Sequence, residues 1–383
     1  MALNPLTLRK LRRFRSIKRG YWSFVVLMGL IALSLVGELF VNNRPLVVRY
    51  DGQWFFPTYG ANLPGTTFGY DYTYETDYRA LRERFRAENT GNWMLMPPVA
   101  FDPNENAPYE GVFKPAPPSW LGGPEGHWLG TDTTGRDIFA RLFYGFRIAI
   151  FFSLAFMALT YLIGIGIGCL MGYYGGVFDL IVQRLIEVWS NIPFLYIVII
   201  LFSVIPSTFS IPARIAMLLV VMVLFSWTSM TYYMRTSTYR EKARDYTAAA
   251  IVLGAGPGRI IFHHILPNTI STIVTFMPFT VVSAITAVTA LDFLGFGLPP
   301  PTPSMGELLK QGTQTLTTAP WIVGSAFGAL VFILVLVTFI GEAVREAFDA
   351  AGGVVVGARQ LGGLALVFDW ELDDARGREL AKP

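Results

Sequence analysis

The sequence contains little that can bind a metal ion or form a disulfide bond. It has one cysteine, Cys169, which lies inside an apolar stretch, and three histidines among 383 residues. A single cysteine excludes an internal disulfide framework and a cysteine-based metal centre. Three histidines, of which His263 and His264 are neighbours, argue against a histidine-rich metal site. We therefore expect this chain to bind no metal and no cofactor of its own.

Charged residues are scarce as well. They make up 15% of the chain, whereas hydrophobic residues make up 53%. A soluble chain of this length needs far more charge to cover its surface, so the composition indicates a membrane protein with several spans. A helix that crosses the hydrocarbon core needs about 20 apolar residues. Six stretches meet this requirement: 22–41, 146–171, 180–204, 213–234, 269–295 and 320–341.

The sequence also lacks the GxxxxGK[ST] loop whose backbone cradles nucleotide phosphates. The chain therefore does not hold ATP by that route, and we expect a transport subunit without an ATPase site of its own. If it moves a solute, the energy must come from a partner or from an ion gradient. Nothing in the sequence indicates a nucleic-acid partner, whereas the apolar stretches imply contact with membrane lipid.

A basic run, LRKLRRFRSIKRG, precedes the first apolar stretch. This order is typical both of a membrane anchor and of a cleaved signal peptide. The apolar stretch is long for a signal peptide and ends in GELFVNN, without a small-x-small cleavage pattern. An anchor is therefore favoured, with residues 1–21 as a basic cytoplasmic N-terminus and 22–41 as the first span.

Lysine and arginine concentrate in the cytoplasmic loops of membrane proteins. The N-terminal basic run therefore lies inside, and six spans return the C-terminal tail, 350–383, to the same side. The same count places the basic segment 235–268 inside and the cation-poor loops 205–212 and 296–319 outside. Charge asymmetry and span count thus agree on one topology, with both termini cytoplasmic.

Residues 42–137 form a large insert on the outer side, rich in aromatic residues and proline. Its pattern predicts short strands and turns with one helix near 77–88. We expect its aromatic residues to pack against the membrane domain and to contact a partner protein. A prediction of kinks follows from Pro193 and Pro278, which lie inside the third and fifth spans.

The segment DYTAAAIVLGAGPGRIIFHHILPN, residues 245–268, is too short to span a membrane and too apolar for a free loop. Asp245 suits a helix cap, and Gly254 stands where a helix C-terminal glycine is expected. The Gly-Pro-Gly that follows predicts a turn before a second short helix. Such an apolar surface element either packs beneath the bundle or binds a partner. A dinucleotide site is disfavoured because the preceding strand and the third glycine are missing.

This segment resembles the cytoplasmic motif of the permeases of binding-protein-dependent, ATP-driven importers: Glu-Ala-Ala, three residues, Gly, nine residues, Ile-x-Leu-Pro. Two positions depart from the motif, with Ala248 in place of the glutamate and His264 in place of the isoleucine. The resemblance implies coupling helices at 240–266 that dock in a groove of an ABC ATPase subunit. The residues assigned to this coupling are Asp245, Ala248, Ala249, Ala250, Gly254, Leu266 and Pro267.

Other stretches extend the resemblance over most of 20–349. HWLGTDTTGRDIFARLFYGFRIAI and LGFGLPPPTPSMGELL are similar to the dipeptide and oligopeptide branch, and RPLVVRYDGQWFFP and GEAVREAFD resemble the YejE-type permeases of oligopeptide and microcin C importers. The implied fold is an all-α, MetI-like permease with six transmembrane helices, a five-helix core at 138–349 and a mixed periplasmic insert. The implied setting is a bacterial inner membrane.

The same resemblance implies partners and a mechanism. The partners are a second homologous permease subunit, one or two ABC ATPase subunits that bind the ATP, and a periplasmic peptide-binding protein. The implied cargo is oligopeptides, including peptide-like antibiotics such as microcin C. ATP binding in the partner pulls the coupling helices inward and turns the path outward.

Three charged residues inside the spans are candidates for a gate or for the translocation path. Arg184 and Glu187 stand three residues apart on one helix face and can pair, either as a structural pair near the membrane interface or as a gate or partner contact. Asp292 lies just before a Gly-Phe-Gly-Leu-Pro exit. It either lines the path or caps the turn that follows.

Two alternatives come from other functional classes. An ion-coupled secondary carrier of peptides or other small solutes would bring inverted repeats, and the sequence shows none. An intramembrane hydrolase would need serine, histidine and aspartate side chains at one site. Since His263 and His264 lie at the inner surface and Asp292 near the outer one, a shared active site is disfavoured.

Overall fold

The computed structural model describes residues 5–88, 91–204, 209–299 and 301–349. The predicted C-terminal tail, 350–383, lies outside the described residues. Most of the described chain is helical, as the composition predicts. The helices are α1 (Pro5–Ser16), α2 (Lys18–Leu35), α3 (Tyr78–Glu88), α4 (Ile138–Tyr174), α5 (Gly176–Ser190), α6 (Phe194–Val204), α7 (Ile211–Lys242), α8 (Asp245–Val252), α9 (Pro257–Arg259), α10 (Leu266–Leu294), α11 (Met305–Gln314) and α12 (Pro320–Asp349).

Among the described residues, five helical runs are long and apolar enough to cross a membrane. They are α2, α4, α7, the run that ends in α10, and α12. The third predicted span, 180–204, is not one continuous helix: α5 and α6 meet at a bend of 68°. Pro193 has no backbone N–H and disfavours a helical residue before it, so the helix ends at Ser190 and restarts at Phe194. Pro278, by contrast, lies within an uninterrupted α10.

Helices α4 and α7 form the most extensive contact of the bundle. Three glycines of α4 at four-residue spacing lie against α7. A Cβ at Gly168 would stand 2.5 Å from the carbonyl oxygen of Thr231, and one at Gly172 would stand 2.6 Å from Cβ of Thr238. Such small residues allow the backbones of membrane helices to approach closely. Just beyond the end of α4, Asp179 in the first turn of α5 accepts two hydrogen bonds from Arg235 of α7, at 2.5 and 2.6 Å.

The insert contains a small antiparallel sheet with strand order β2-β1-β3. The strands are β1 (Val47–Tyr50), β2 (Gln53–Phe55) and β3 (Trp93–Leu95), and α3 confirms the helix predicted near 77–88. Val48, Phe68, Leu81 and Phe85 form a core between sheet and helix. The insert also packs on the start of α4, where Phe101 joins a cluster with Ala140. The predicted packing of its aromatic residues against the membrane domain is therefore confirmed at this contact.

A buried charge cluster joins the insert to the helical domain. Glu307 on α11 accepts from Arg136 at 2.9 Å and pairs with the fully buried Arg141 of α4. Asp132 pairs with Arg136 at 2.7 Å. Burial lowers the pKa of Arg136, but Asp132 and Glu307 outweigh it, so the pKa is raised and the guanidinium stays charged. We call Asp132, Arg136, Arg141 and Glu307 the insert latch.

Candidate coupling segment and translocation cavity

Helix α8 carries the first half of the predicted coupling segment and ends in a Schellman motif. The N–H of Gly254 donates to the carbonyl of Ile251 at 2.9 Å, and that of Ala255 donates to Ala250 at 3.0 Å. Gly254 has φ +82°, which L side chains rarely adopt. The predicted helix-terminating glycine is thus confirmed. Asp245 is not the N-cap, because the helix begins at Asp245 itself and Arg244 holds the cap position.

The tip of α8 is apolar and exposed. Val252 and Leu253 are 86% and 87% exposed, whereas Thr247 and Ala250 earlier in the helix are buried. Ala248 and Ala249 are exposed as well. If this helix only packed beneath the bundle, its buried residues would be explained, but its exposed apolar tip would not. Two largely exposed aliphatic side chains at one helix end are what we expect of a surface that another protein covers, and this role stays a prediction.

Helix α8 is held firmly to the end of α7. Glu241, which is buried, accepts a hydrogen bond from the Tyr246 hydroxyl at 2.9 Å, and its carbonyl accepts from Thr247 Oγ1 at 2.8 Å. Burial and the hydrogen bond to Glu241 raise the pKa of Tyr246, so the hydroxyl remains a donor. A force on α8 therefore reaches α7 through short, direct contacts.

The second half of the segment differs from the prediction. No separate surface helix follows the turn: residues Pro257–Leu294 form one continuous helical run. Within it, Ile260–Ile265 adopt a π-helix. Because Pro267 lacks an N–H, the carbonyl four residues earlier loses its α-helical donor, and the wider turn accommodates this. Pro267 is exposed and Leu266 half-buried, so both lie at the start of α10 rather than at the tip of α8.

A cavity of about 490 Å³ lies between α4, α6, α7 and α10. Aromatic rings and hydroxyl groups line it, and among the described residues no charged side chain does. Its lining residues are Phe156, Thr160, Tyr161, Phe194, Met222, Phe225, Ser226, Ser229, Met230, Tyr233, Phe276, Phe279, Thr280, Ser283, Ala284 and Ala287. We call this the central cavity. A surface of this kind suits a passage for chain-like solutes, because it offers stacking and hydrogen bonds without a charge that would trap them.

The sequence predictions missed every residue of the central cavity. A signal does exist, since Ser226, Ser229 and Tyr233 recur at helical spacing along α7, and Thr280 and Ser283 do so along α10. Hydroxyl side chains are common inside membrane helices, however, because they can bond to the preceding turn. Thr280 does so, donating to the carbonyl of Phe276.

The charged candidates do not line the central cavity. Arg184 and Glu187 pair at 2.5 Å on α5, as their spacing predicts, with side chains 80% and 39% exposed. Asp292 is buried and accepts two hydrogen bonds at 2.5 Å, from the Leu298 N–H and the Ser304 hydroxyl. This is the arrangement expected of a residue that caps the turn after α10. A role of these three residues in the path or gate stays a prediction.

Comparison with known proteins decides the family. Residues 164–351 match the family described as "Binding-protein-dependent transport system inner membrane component". The inner membrane ABC transporter permease protein YejE of Escherichia coli K12 is 42% identical over 352 residues, covering 91% of this chain and 98% of its own length. The chain belongs to this permease family.

Two further relatives lie in the same family. The peptidoglycan transport system permease protein YejE of Agrobacterium fabrum is 37% identical over 370 residues, 90% of this chain and 93% of its own length. The dipeptide transport system permease protein DppC of Haemophilus influenzae is 35% identical over 254 residues, 63% of this chain and 84% of its own. The first two matches cover nine-tenths of the chain, so they include most of the insert.

Membership of this family indicates where the protein lies and which subunit hydrolyses ATP. This permease is a multi-pass inner membrane protein of a binding-protein-dependent ABC importer, and the ATPase of such a system is a separate subunit. The alternative of an intramembrane hydrolase also fails on geometry. His264 and Asp292 are separated by 28 residues (292 − 264) of one helical run, which corresponds to about 42 Å.

Proposed function

We propose that this permease imports oligopeptides and forms one half of their path, together with a second homologous permease subunit. The similarity to the dipeptide transport permease DppC supports a peptide cargo, and the uncharged central cavity fits a passage that accepts varied side chains. Peptide-like antibiotics such as microcin C fall within the same cargo class. The observation that carries the proposal is the identity of 42% to an ABC permease over nearly its whole length.

The proposed orientation places the N- and C-termini and α8 in the cytoplasm and the insert in the periplasm. Helix α4 is about 55 Å long. Its first residue follows the insert directly, and its last residue lies at the level of α8. The insert and α8 therefore lie at opposite ends of the bundle. The arginines at 9–19 and 235–259 lie at the α8 end of the proposed topology, where the positive-inside rule expects them.

The coupling role belongs to the segment 245–267, with the exposed tip of α8 seated in a groove of an ABC ATPase subunit. Val252 and Leu253 supply the apolar contact, and Gly254 sets the direction of the chain that leaves it. ATP is bound by that partner. Glu241 then passes the displacement of α8 to α7, and the helical run from Pro257 passes it to α10.

The second permease is proposed to cover α5. Arg184 and its partner Glu187 are surrounded on this helix by exposed apolar side chains. The Arg184 guanidinium contacts the Glu187 carboxylate at 2.5 Å, one turn further along the helix. Charged side chains that face lipid within a membrane-spanning helix are unfavourable, so a protein neighbour is favoured here.

The binding protein is proposed to dock on the insert. Exposed aromatic side chains are concentrated there, among them Phe113 at 61% and Trp120 at 72%. Aromatic residues are enriched at protein interfaces, which supports this assignment. The insert latch holds this surface against α4 and α11.

A second candidate cargo is peptide-bearing fragments of peptidoglycan. The similarity to the peptidoglycan transport permease of Agrobacterium fabrum favours it, at 37% identity over 90% of this chain. Aromatic rings in the central cavity can stack on sugars as well as on peptide side chains. Competition of a muropeptide with a labelled linear peptide of similar length distinguishes the two.

Uptake into sealed, right-side-out membrane vesicles tests the proposal against an ion-coupled carrier. The vesicles contain the permease with its native partners, and a labelled tetrapeptide with the binding protein is added outside. We expect uptake only when ATP is enclosed, and we expect it to persist when a protonophore collapses the proton gradient. Uptake in ATP-free vesicles driven by an imposed gradient would overturn the proposal.

A further inference from the structure

A second cavity lies next to the central cavity along α10. Its volume is about 550 Å³, and we call it the lower cavity. Residues of α7, α10 and α12 line it: Arg240, Ser271, Thr272, Thr275, Phe276, Phe279, Arg345 and Phe348. Phe276 and Phe279 line both cavities.

The order of lining residues shows that the two cavities follow one another along the helices. On α10 the central cavity is lined by residues from 276 to 287, and the lower cavity by residues from 271 to 279. On α7 the central cavity reaches Tyr233, whereas the lower cavity is lined by Arg240. Both helices therefore place the boundary at the same level, around Tyr233 and Phe276. The lower cavity lies on the α8 side of this boundary.

Aromatic rings occupy the boundary. Tyr233 of α7 and Phe276 of α10 stack with ring centroids 4.0 Å apart and an interplanar angle of 15°. One turn further, the hydroxyls of Tyr161 on α4 and Thr280 on α10 are 2.8 Å apart and hydrogen-bonded, which braces α10 against α4. On the other side, a Cβ at Gly341 of α12 would stand 3.1 Å from the Phe279 ring. Close packing against α12 therefore limits the movement of Phe279.

We propose that the stacked Tyr233–Phe276 pair, with Phe279 beside it, is the closed gate between the two cavities of the translocation path. This inference rests on the proposed function for the direction of transport and for the second permease subunit, because Tyr233 is 43% exposed in the single chain and the ring layer is complete only when that subunit covers its open side. A layer of packed rings excludes water and therefore blocks polar solutes and ions. Separation of α7 from α10 by the width of one ring would join the cavities.

The structure also links this gate to α8. Phe276 lies in the same helical run as the π-helix Ile260–Ile265, three turns away. Single π turns within α-helices are irregular points that frequently occur at functional sites. Tyr233 lies on α7, whose end is hydrogen-bonded to α8 through Glu241. Movement of α8 thus acts on both rings of the stack, through two different helices.

Thiol labelling from each side of the membrane tests the gate. In a Cys169→Ser background, the Ser229→Cys variant places a thiol in the central cavity and the Thr272→Cys variant places one in the lower cavity. A membrane-impermeant maleimide is applied to right-side-out and to inverted vesicles without nucleotide or peptide. We expect each variant to be labelled from one side only: Ser229→Cys from the insert side and Thr272→Cys from the α8 side. Labelling of either variant from both sides would overturn the proposal.

Opening the gate by substitution provides the second arm. Addition of Phe276→Ala or Tyr233→Ala to the Ser229→Cys variant is expected to produce labelling from the α8 side as well. Tyr233→Phe keeps the ring and should stay labelled from one side. Phe327→Ala on α12, a residue 60% exposed and outside both cavity linings, is the matched control and should also change nothing.

Unchanged one-sided labelling in both alanine variants would show that the ring pair is not the barrier. Because labelling requires neither ATP nor peptide, its result is separate from the vesicle uptake experiment. A failure of the peptide-import proposal would therefore leave the gate assignment standing, and a failure of the gate would leave the cargo assignment standing.

Discussion

Gly254 meets a backbone requirement at the tip of α8. A Cβ at Gly254 would contact nothing within 4 Å, and neither would a Cβ at Gly256. The two glycines differ in their backbone, because only Gly254 has a positive φ. Left-handed backbone costs a non-glycine residue about 1–2 kcal/mol. Gly254→Ala should therefore destabilise the tip of α8, whereas Gly256→Ala should not. Hydrogen exchange of the amides at 250–256 measures this local difference, and equal exchange in both variants would contradict it.

Gly256, and not Gly254, is the position at which to test whether the proposed ATPase groove tolerates a large side chain. Gly256→Trp adds bulk without requiring a left-handed backbone, since the residue has φ −73°. If the tip of α8 sits in a groove of the ATPase, this variant should insert normally and lose peptide-stimulated ATP hydrolysis. Normal stimulation would show that the groove does not enclose this turn.

Two roles were predicted for Asp292: it either lines the translocation path or caps the turn after α10. Its hydrogen bonds favour the second role. Its carboxylate accepts from both the Leu298 N–H and the Ser304 hydroxyl. Asp292→Ala leaves the buried Ser304 hydroxyl and the half-buried Leu298 N–H without this acceptor, and an unsatisfied buried donor costs about 1–3 kcal/mol. We expect a lower thermal unfolding temperature in detergent, and a decrease for Ser304→Ala as well, because that residue also caps the N-terminus of α11. A role in the path instead predicts impaired peptide uptake at an unchanged unfolding temperature.

At the scale of single elements, the glycine face of α4 makes the sharpest prediction. A Cβ at Gly168 would stand 2.5 Å from the carbonyl oxygen of Thr231, whereas one at Gly166 on the same helix would meet nothing within 4 Å. Gly168→Ala should force α4 and α7 apart at a cost of about 1–3 kcal/mol. Gly166→Ala should be neutral or slightly stabilising. Thermal unfolding of the two variants side by side checks this difference.

Hydropathy and turn residues predict most elements of this fold. Five of the six predicted spans correspond to one continuous helix each, because a long apolar run in lipid must satisfy its backbone hydrogen bonds internally. The first was predicted to end at 41, whereas α2 already ends at Leu35. The third span was predicted as one helix, although Pro193 already indicated where it bends. The π-helix could not be predicted from hydropathy, since it depends on how one helix absorbs the missing N–H of Pro267.

The candidate site is predictable only in part, for a physical reason. The coupling segment is local in sequence, so its motif and its glycine could be recognised directly. The central cavity arises where four helices meet, and Phe156 and Tyr233 come together only through tertiary packing. The insert latch joins Arg136 to Glu307, which are 171 residues apart (307 − 136). No local pattern connects such positions.

At the scale of the whole molecule, the insert latch is expected to decide whether the insert stays fixed to the bundle. Glu307→Ala leaves the fully buried Arg141 without one of its two acidic partners, and breaking a buried pair costs about 3–5 kcal/mol. Glu342→Ala breaks an exposed pair with Arg19, which is worth about 0–1 kcal/mol. Limited proteolysis of the insert should accelerate in the first variant only. Equal rates would contradict a role of the latch.

The central claim of this account is that the exposed tip of α8 is the contact with a separate ATPase. A photo-crosslinking amino acid placed at Leu253 tests it in native membranes, and one placed at Trp120 on the insert is the matched control, since both side chains are largely exposed. Mass spectrometry then identifies the captured chains. The account expects a protein with a nucleotide-binding GxxxxGK[ST] loop at Leu253 and none at Trp120. Capture of that ATPase at Trp120 but not at Leu253 would contradict it.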